Sequence, residues 1–112
     1  MHPGAHDPEA SPGHAYDRAA DQVLLDVRED DEWEAGHAPG ALHVALSRFD
    51  AGRLPRCRTV LCICRSGRRS AGVVAALRAA GIDAVNVAGG MDAWATAGLP
   101  VERPDGRPGT VI

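Results

Sequence analysis

No segment constrains this chain more than Thr59-Val60-Leu61-Cys62-Ile63, which runs directly into Cys64-Arg65-Ser66-Gly67-Arg68-Arg69-Ser70 and then into the helical pattern Ala71 to Ala80. A short apolar run reads as a buried strand, and Val73, Val74, Leu77 and Ala80 recur at a spacing that faces a sheet from one side of a helix. Strand, loop and helix in this order put Cys64 at the carboxyl end of a strand. Successive backbone N–H groups and the positive end of the helix dipole favour negative charge there. Arg65, Arg68 and Arg69 add cationic groups, so the thiol is expected to ionise readily. Cysteines in such surroundings titrate at roughly 3.5–7.5 instead of about 8.5, and the thiolate is the nucleophile. The plainer reading makes Cys64 a small residue ending a core strand. It leaves Gly67 and three arginines within five residues without a purpose. The expectation is an ionised sulfur, open to solvent, at the floor of a ring of inward-pointing peptide hydrogens.

The rest of the chain repeats the alternation. Residues 1–10 are rich in Pro, Gly and His and read as a flexible lead-in, with His2, His6 and His14 solvated and not gathered for a metal. Ser11 followed by Pro12 opens a helix to about Ala20. Val23 to Val27 reads as a buried strand, and Asp30 to Ala35 as a brief helix closed by Gly36. The turn His37-Ala38-Pro39-Gly40 leads to a short strand around Ala41 to Val44. After the helix Arg69 to Ala80, stopped by Gly81, come a strand Ala84 to Val87, the turn Gly89-Gly90 and a helix Met91 to Ala97. The segment from Leu99, with Pro100, Pro104 and Pro108, reads as a tail against the body. Strands alternating with helices imply a parallel sheet covered on both faces, with ligands beyond the carboxyl ends of the strands, where Cys64 falls.

Composition narrows the function. The 112 residues suit one domain, and 45% hydrophobic residues suffice for a core. Net charge is −3, which excludes general electrostatic binding of nucleic acid. The charge is segregated: Asp21 to Glu34 holds seven acids against Arg28, whereas Arg53 to Arg69 holds six arginines and no acid. The basic stretch contains the cysteine loop and points to a small anionic substrate; Arg53, Arg56 and Arg58 read as a solvated face. Three cysteines, an odd number, argue against a disulfide framework and for a reducing compartment. With no apolar leader and no span of eighteen apolar residues, a cytoplasmic location without membrane contact is expected. Neither a cofactor nor a metal is expected.

The chain resembles the single-domain rhodanese family of sulfurtransferases. Leu24-Leu25-Asp26-Val27-Arg28-Glu29 is similar to that family's first motif and Gly36-His37-Ala38-Pro39-Gly40-Ala41 to its turn. Cys64 to Ser70 is similar to its active-site loop, and Gly89-Gly90-Met91-Asp92-Ala93-Trp94 to its closing motif. The resemblance places the rhodanese-like domain at residues 11–100, with 101–112 as the tail. It implies a three-layer α/β/α fold around a mainly parallel sheet of about five strands, the fifth a short edge piece near the N-terminus. It also implies that Cys64 takes sulfane sulfur from thiosulfate or a persulfide donor and passes it to cyanide or a thiol. The loop residues Arg65, Ser66, Gly67, Arg68, Arg69 and Ser70 would bind substrate, with Arg69 either meeting the donor or bracing the loop. A sulfur-relay module docked to a sulfur-carrier protein is the alternative. Related phosphatases carry an arginine six positions after the cysteine, where this chain has Ser70, so phosphatase or arsenate chemistry ranks lower.

Other residues receive supporting roles. Asp26 and Arg28 end a strand near Cys64 and are expected to pair and brace the loop. His37, in a tight turn, reads as a hydrogen-bonding residue, not a base. Trp33 and Trp94 read as packing residues. Cys62, one strand repeat deeper than Cys64, belongs to the core, and Cys57 lies in a polar stretch.

Overall fold

The computed structural model describes residues 9–112; the lead-in reading for residues 1–8, with His2 and His6, lies outside them. Five parallel strands, β1 (Glu9–Ala10), β2 (Gln22–Asp26), β3 (Leu42–His43), β4 (Thr59–Ile63) and β5 (Ala84–Val87), form one sheet in the order β1-β5-β4-β2-β3. Four helices, α1 (Pro12–Tyr16), α2 (Asp30–Ala35), α3 (Arg68–Ala79) and α4 (Gly90–Thr96), complete the α/β fold. The fifth strand occupies Glu9–Ala10, the last two residues of the stretch read as lead-in, and pairs with Asn86 and Val87.

Period-two alternation along the central strand builds two cores. Val60 and Cys62 of β4 pack with Leu25, Val27, Val73, Val74 and Leu77 on the α3 side. Leu61 and Ile63 pack with Leu24, Ala15, Met91 and Trp94 on the side of α1 and α4. All five β4 residues are buried, which is why this strand shows no polar alternation. The chain departs from β2 toward β3 in one direction and, through β4, toward β5 in the other. The carboxyl ends of β2 and β4 therefore flank the switch point of the sheet, the usual position of a ligand crevice in open α/β folds.

Three boundaries depart from the sequence reading. Helix α1 ends at Tyr16, not near Ala20: the Gln22 side chain accepts from the Ala19 N–H and the Gln22 N–H donates to the Ala19 carbonyl, turning the chain into β2. Helix α3 begins at Arg68 and α4 at Gly90, each one residue early, because Gly67 and Gly89 serve as their N-caps. The segment after Leu99 is tied to the body. His37 and Glu102 exchange backbone hydrogen bonds at 2.8 and 2.9 Å, the Thr110 N–H donates to the Ala35 carbonyl, and Val101 and Val111 pack on the α1/α4 core. Trp94, fully buried, donates from Nε1 to the Pro100 carbonyl at 2.8 Å.

At the end of β2, Asp26 and Arg28 form a fully buried ion pair, Nη2 to Oδ2 2.8 Å, with Nε also donating to the carboxylate. Nη2 reaches the Gly36 carbonyl at 2.7 Å, so the pair ties β2 to the end of α2. The expected pairing is present, and among the described residues no hydrogen bond joins either side chain to the cysteine loop. Removing one partner of a buried pair leaves an uncompensated charge, at a typical cost of about 3–5 kcal/mol. Asp26→Ala is expected to lose stability on that scale in urea unfolding; a loss within about 1 kcal/mol, the range of an exposed pair, would contradict this account of the pair.

Candidate active site

The alternation that sorts β4 into two faces also aims Cys64. Two residues beyond Cys62, it continues the row facing α3 and meets the first turn of that helix. Gly67 adopts φ 98°, ψ −4°, a left-handed conformation that glycine alone takes without penalty, and the chain doubles back over the sulfur. The Gly67 N–H then donates to Cys64 Sγ at 3.1 Å and the Ser70 N–H at 3.4 Å, while the Ser70 hydroxyl lies 3.2 Å away. The Ser66 N–H adds a weaker attraction for the anion.

Carbonyls of the same loop are held from outside. The Cys64 carbonyl accepts from the Met91 N–H at 2.8 Å and the Arg65 carbonyl from the Asp92 N–H at 2.9 Å, both at the start of α4. The Gly67 carbonyl accepts from Asn86 Nδ2 at 2.8 Å. A trans peptide points its N–H opposite to its C=O, so fixing the Arg65 carbonyl outward turns the Ser66 N–H inward. The approach of α4 is possible because residue 90 is glycine: a Cβ there would lie 2.6 Å from the Arg65 carbonyl oxygen and closer still to that of Cys64.

These contacts set the ionisation of the thiol. Burial alone pushes it up, since the anion loses hydration. The hydrogen bonds from the Ser70 hydroxyl and from the backbone of Ser70, Gly67 and Ser66 outweigh burial and hold Cys64 below the ordinary thiol value. Cys62 has the burial without the donors and is pushed up to about 12, as a core residue. Burial and the nearby Asp21 also push Cys57 up.

The three arginines separate. Arg69 grips Glu32 of α2 with two hydrogen bonds, 2.7 and 2.8 Å, and so ties α3 to α2. Arg65 lies along Asp92, 3.5 Å away, on the exposed side of the loop. Arg68 is exposed and has no ion-pair partner among the described residues. Of the two contributions expected to ionise the thiol, backbone donors and arginines, the donors of the loop carry the effect at Cys64. The Arg69 guanidinium is turned to the Glu32 carboxylate, which raises its pKa above the ordinary arginine value. The expectation of a solvent-open sulfur is corrected. Cys64 has 0% exposure, because the donor ring closes directly onto Sγ, with Arg65 and Ser66 exposed on its outer side.

His37 is used structurally, stacked on Trp33 at 3.6 Å between ring centroids, with Nδ1 3.1 Å from the Trp33 carbonyl. His43 stacks on Trp33 as well. A cleft of about 500 Å³ lined by Tyr16, Arg18, Gln22, Pro39 and Pro55 lies by the start of β2, away from the cysteine. Sequence reading passed over Asn86, Glu32 and the packing role of Gly90. Asn86 had a signal, since an amide in the apolar strand Ala84-Val85-Asn86-Val87 must find partners if buried. Glu32 had none, lost among seven acids.

With this geometry in view, relatives can be compared. The family model "Rhodanese-like domain" matches residues 11–97. The chain belongs to the rhodanese-like domain family. A solved rhodanese-related protein from Thermoplasma volcanium superposes with TM-score 0.77 at 30% identity, covering 84% of this chain and 96% of that one. An uncharacterised protein of Synechocystis is 33% identical over 93 residues, 80% of this chain and 52% of its own length. The probable adenylyltransferase/sulfurtransferase MoeZ of Mycobacterium tuberculosis is 39% identical over 60 residues, 50% of this chain and 15% of that protein. The chain thus spans about half or less of these two relatives. No helix among the described residues is long and apolar enough to cross a membrane.

Two outcomes follow for this rhodanese-like loop. Gly90→Ala is expected to drive α4 from the loop and to slow native alkylation of Cys64 by iodoacetamide at least tenfold, read by mass spectrometry; an unchanged rate would show that the outer clamps are dispensable. In the unaltered protein the alkylation rate should climb with pH through a midpoint below the usual thiol value of about 8.5. A lowered thiol pKa means that thiolate already forms on the acid side of that value, and a midpoint above it would reverse the assignment of the donors.

Proposed function

We propose that this protein is a sulfurtransferase that carries sulfane sulfur on Cys64 as a persulfide. The observation that supports it most is the convergence of the Gly67 N–H, Ser70 N–H and Ser70 hydroxyl on Cys64 Sγ at 3.1–3.4 Å. Donors at that distance stabilise a sulfur anion, and they do so again when a sulfur anion leaves.

In the first half-reaction, the Cys64 thiolate attacks the outer sulfur of thiosulfate. A Cys64–S bond forms, the S–S bond of thiosulfate breaks, and its electron pair departs with sulfite. The enzyme is left with Cys64–S–S⁻. In the second, a thiolate or cyanide attacks the terminal sulfur, forms a persulfide or thiocyanate, and returns the electron pair to Cys64 as thiolate. Splitting the transfer into two covalent steps gives ping-pong kinetics. Because Cys64 is covered, each attack begins with a local outward movement at Arg65 and Ser66, the exposed part of the loop.

The arginines divide the work. Arg69, engaged by Glu32, is assigned to bracing the loop; Arg68, unpaired and exposed, and Arg65, loosely held by Asp92, are assigned to the anionic donor. The arginine that closes the loop is Arg69, five positions after Cys64, with Ser70 where the related phosphatases carry arginine, which supports sulfur transfer over phosphatase chemistry. The name of the mycobacterial relative, a probable adenylyltransferase/sulfurtransferase, supports sulfur transfer; relay to a sulfur-carrier protein in a reducing, cytoplasmic environment is the setting proposed for it.

Mass spectrometry after incubation with thiosulfate is expected to show one added sulfur (+32 Da) on Cys64, absent in Cys64→Ser. Arg68→Ala is expected to raise KM for thiosulfate several-fold with little change in kcat. No sulfur on Cys64 from thiosulfate or from a protein persulfide, or complete resistance of Cys64 to native alkylation, would overturn the reading. Faster loading from a protein persulfide than from thiosulfate would assign the relay as its role.

A further inference from the structure

Asn86 is buried in β5, 5% exposed, and its side-chain amide has both ends occupied. Nδ2 donates to the Gly67 carbonyl at 2.8 Å, and Oδ1 accepts from the Ser70 hydroxyl at 2.6 Å. The amide orientation is determined: turned over, it would set Oδ1 against a carbonyl oxygen. Gly67 and Ser70 are also the two residues whose N–H groups donate to Cys64 Sγ. One side chain of the neighbouring strand therefore spans the two sides of the sulfur cradle. We propose that Asn86 is a positioning residue of the sulfur-transfer site, clamping Gly67 and sharing the Ser70 hydroxyl proton with Cys64. The inference rests on the sulfurtransferase reading for its purpose and on the geometry alone for its test.

The sharing follows from counting protons. The Ser70 hydroxyl has one, and two acceptors face it, Asn86 Oδ1 at 2.6 Å and Cys64 Sγ at 3.2 Å. While Sγ is a neutral thiol, or the inner sulfur of a persulfide with its charge on the outer atom, Oδ1 is the stronger acceptor and holds the proton. When Sγ becomes a thiolate, rotation about the Ser70 Cβ–Oγ bond turns the same proton to the sulfur. No proton is transferred and none is lost. Asn86 thus acts with opposite signs: its clamp aims the backbone donors and favours the thiolate, and its Oδ1 competes for the hydroxyl and disfavours it. The other ionisable groups beside Cys64 are Cys62 on β4 and Arg69 on α3, and the Arg69 hydrogen bonds to Glu32 involve neither Asn86 nor Ser70.

The experiment is the pH profile of Cys64 alkylation by iodoacetamide, read on the Cys64 peptide, in the full chain carrying Asn86→Val, Ser70→Ala or both. Valine keeps a strand-forming side chain between Val85 and Val87, and Asn86→Ala serves as a second variant; thermal unfolding checks that each is folded. With Ser70 present, Asn86→Val is expected to raise the Cys64 midpoint modestly, because the freed hydroxyl offsets part of the lost clamp. In the Ser70→Ala background the offset is gone, and the same change is expected to raise the midpoint by about one pH unit, a tenfold change in the ionisation constant. No upward shift in the Ser70→Ala background would overturn the clamp. Equal shifts in both backgrounds would overturn the shared proton. Iodoacetamide needs no sulfur donor, so these outcomes are independent of thiosulfate loading, which tests the function itself.

Discussion

The site depends on how each peptide of one loop is turned. From Cys64 to Ser70 the chain curls so that N–H groups meet at a sulfur, and such a curl is unstable alone because like-oriented dipoles crowd together. It is held from outside. Carbonyls of Cys64 and Arg65 are taken by the first N–H groups of α4, and the carbonyl of Gly67 by Asn86 on β5. These bonds fix the course of the chain on either side of the Gly67 and Ser70 N–H groups that meet the sulfur. The cradle is thus a product of three elements, the end of β4, the start of α4 and a polar side chain in β5, and would not survive as an isolated peptide.

This arrangement accounts for a cysteine that is both buried and acidic. Burial without donors pushes Cys62 up to about 12, two residues away on the same face. Cys64 goes the other way because its hydrogen bonds act at contact distance in a site shielded from water, where they are strongest. Long flexible arginines would stabilise the anion less well, since solvent screens their exposed charges. Helix α3 contributes through its first turn: the Ser70 N–H is one of the donors that a helix leaves free at its start, and here the ligand of that free donor is the sulfur.

Much of this was legible in residue order. The apolar strands β2, β4 and β5 and the helices α2, α3 and α4 lie where periodicity and glycine stops put them, and Cys64 sits at the expected junction. What was not legible has one physical character: contacts between residues far apart in the chain. A two-residue strand such as β1 has no period to detect and exists only because β5 offers an edge. Helix α1 stops early because the Gln22 side chain captures a backbone N–H, a competition that propensity does not encode. The arginine cluster misled for the same reason. Counted along the chain, Arg65, Arg68 and Arg69 are three charges beside a thiol; in space, Asp92 and Glu32 draw two of them away.

The division of labour among those arginines bears on specificity. A site that relied on arginine charge to ionise its nucleophile would bind any anion tightly and would be blocked by phosphate or sulfate. Here the sulfur is met by uncharged donors that touch Sγ directly, and Arg68 is exposed with no ion-pair partner among the described residues. On the proposed function, anion attraction falls to Arg68 and nucleophile activation to the ring, and an anion reacts only when it carries a transferable outer sulfur and the loop opens. The Asn86 clamp belongs on the side of activation: it acts on the ring and leaves the rim alone, so altering it should change how readily Cys64 ionises without changing how well donors are drawn in.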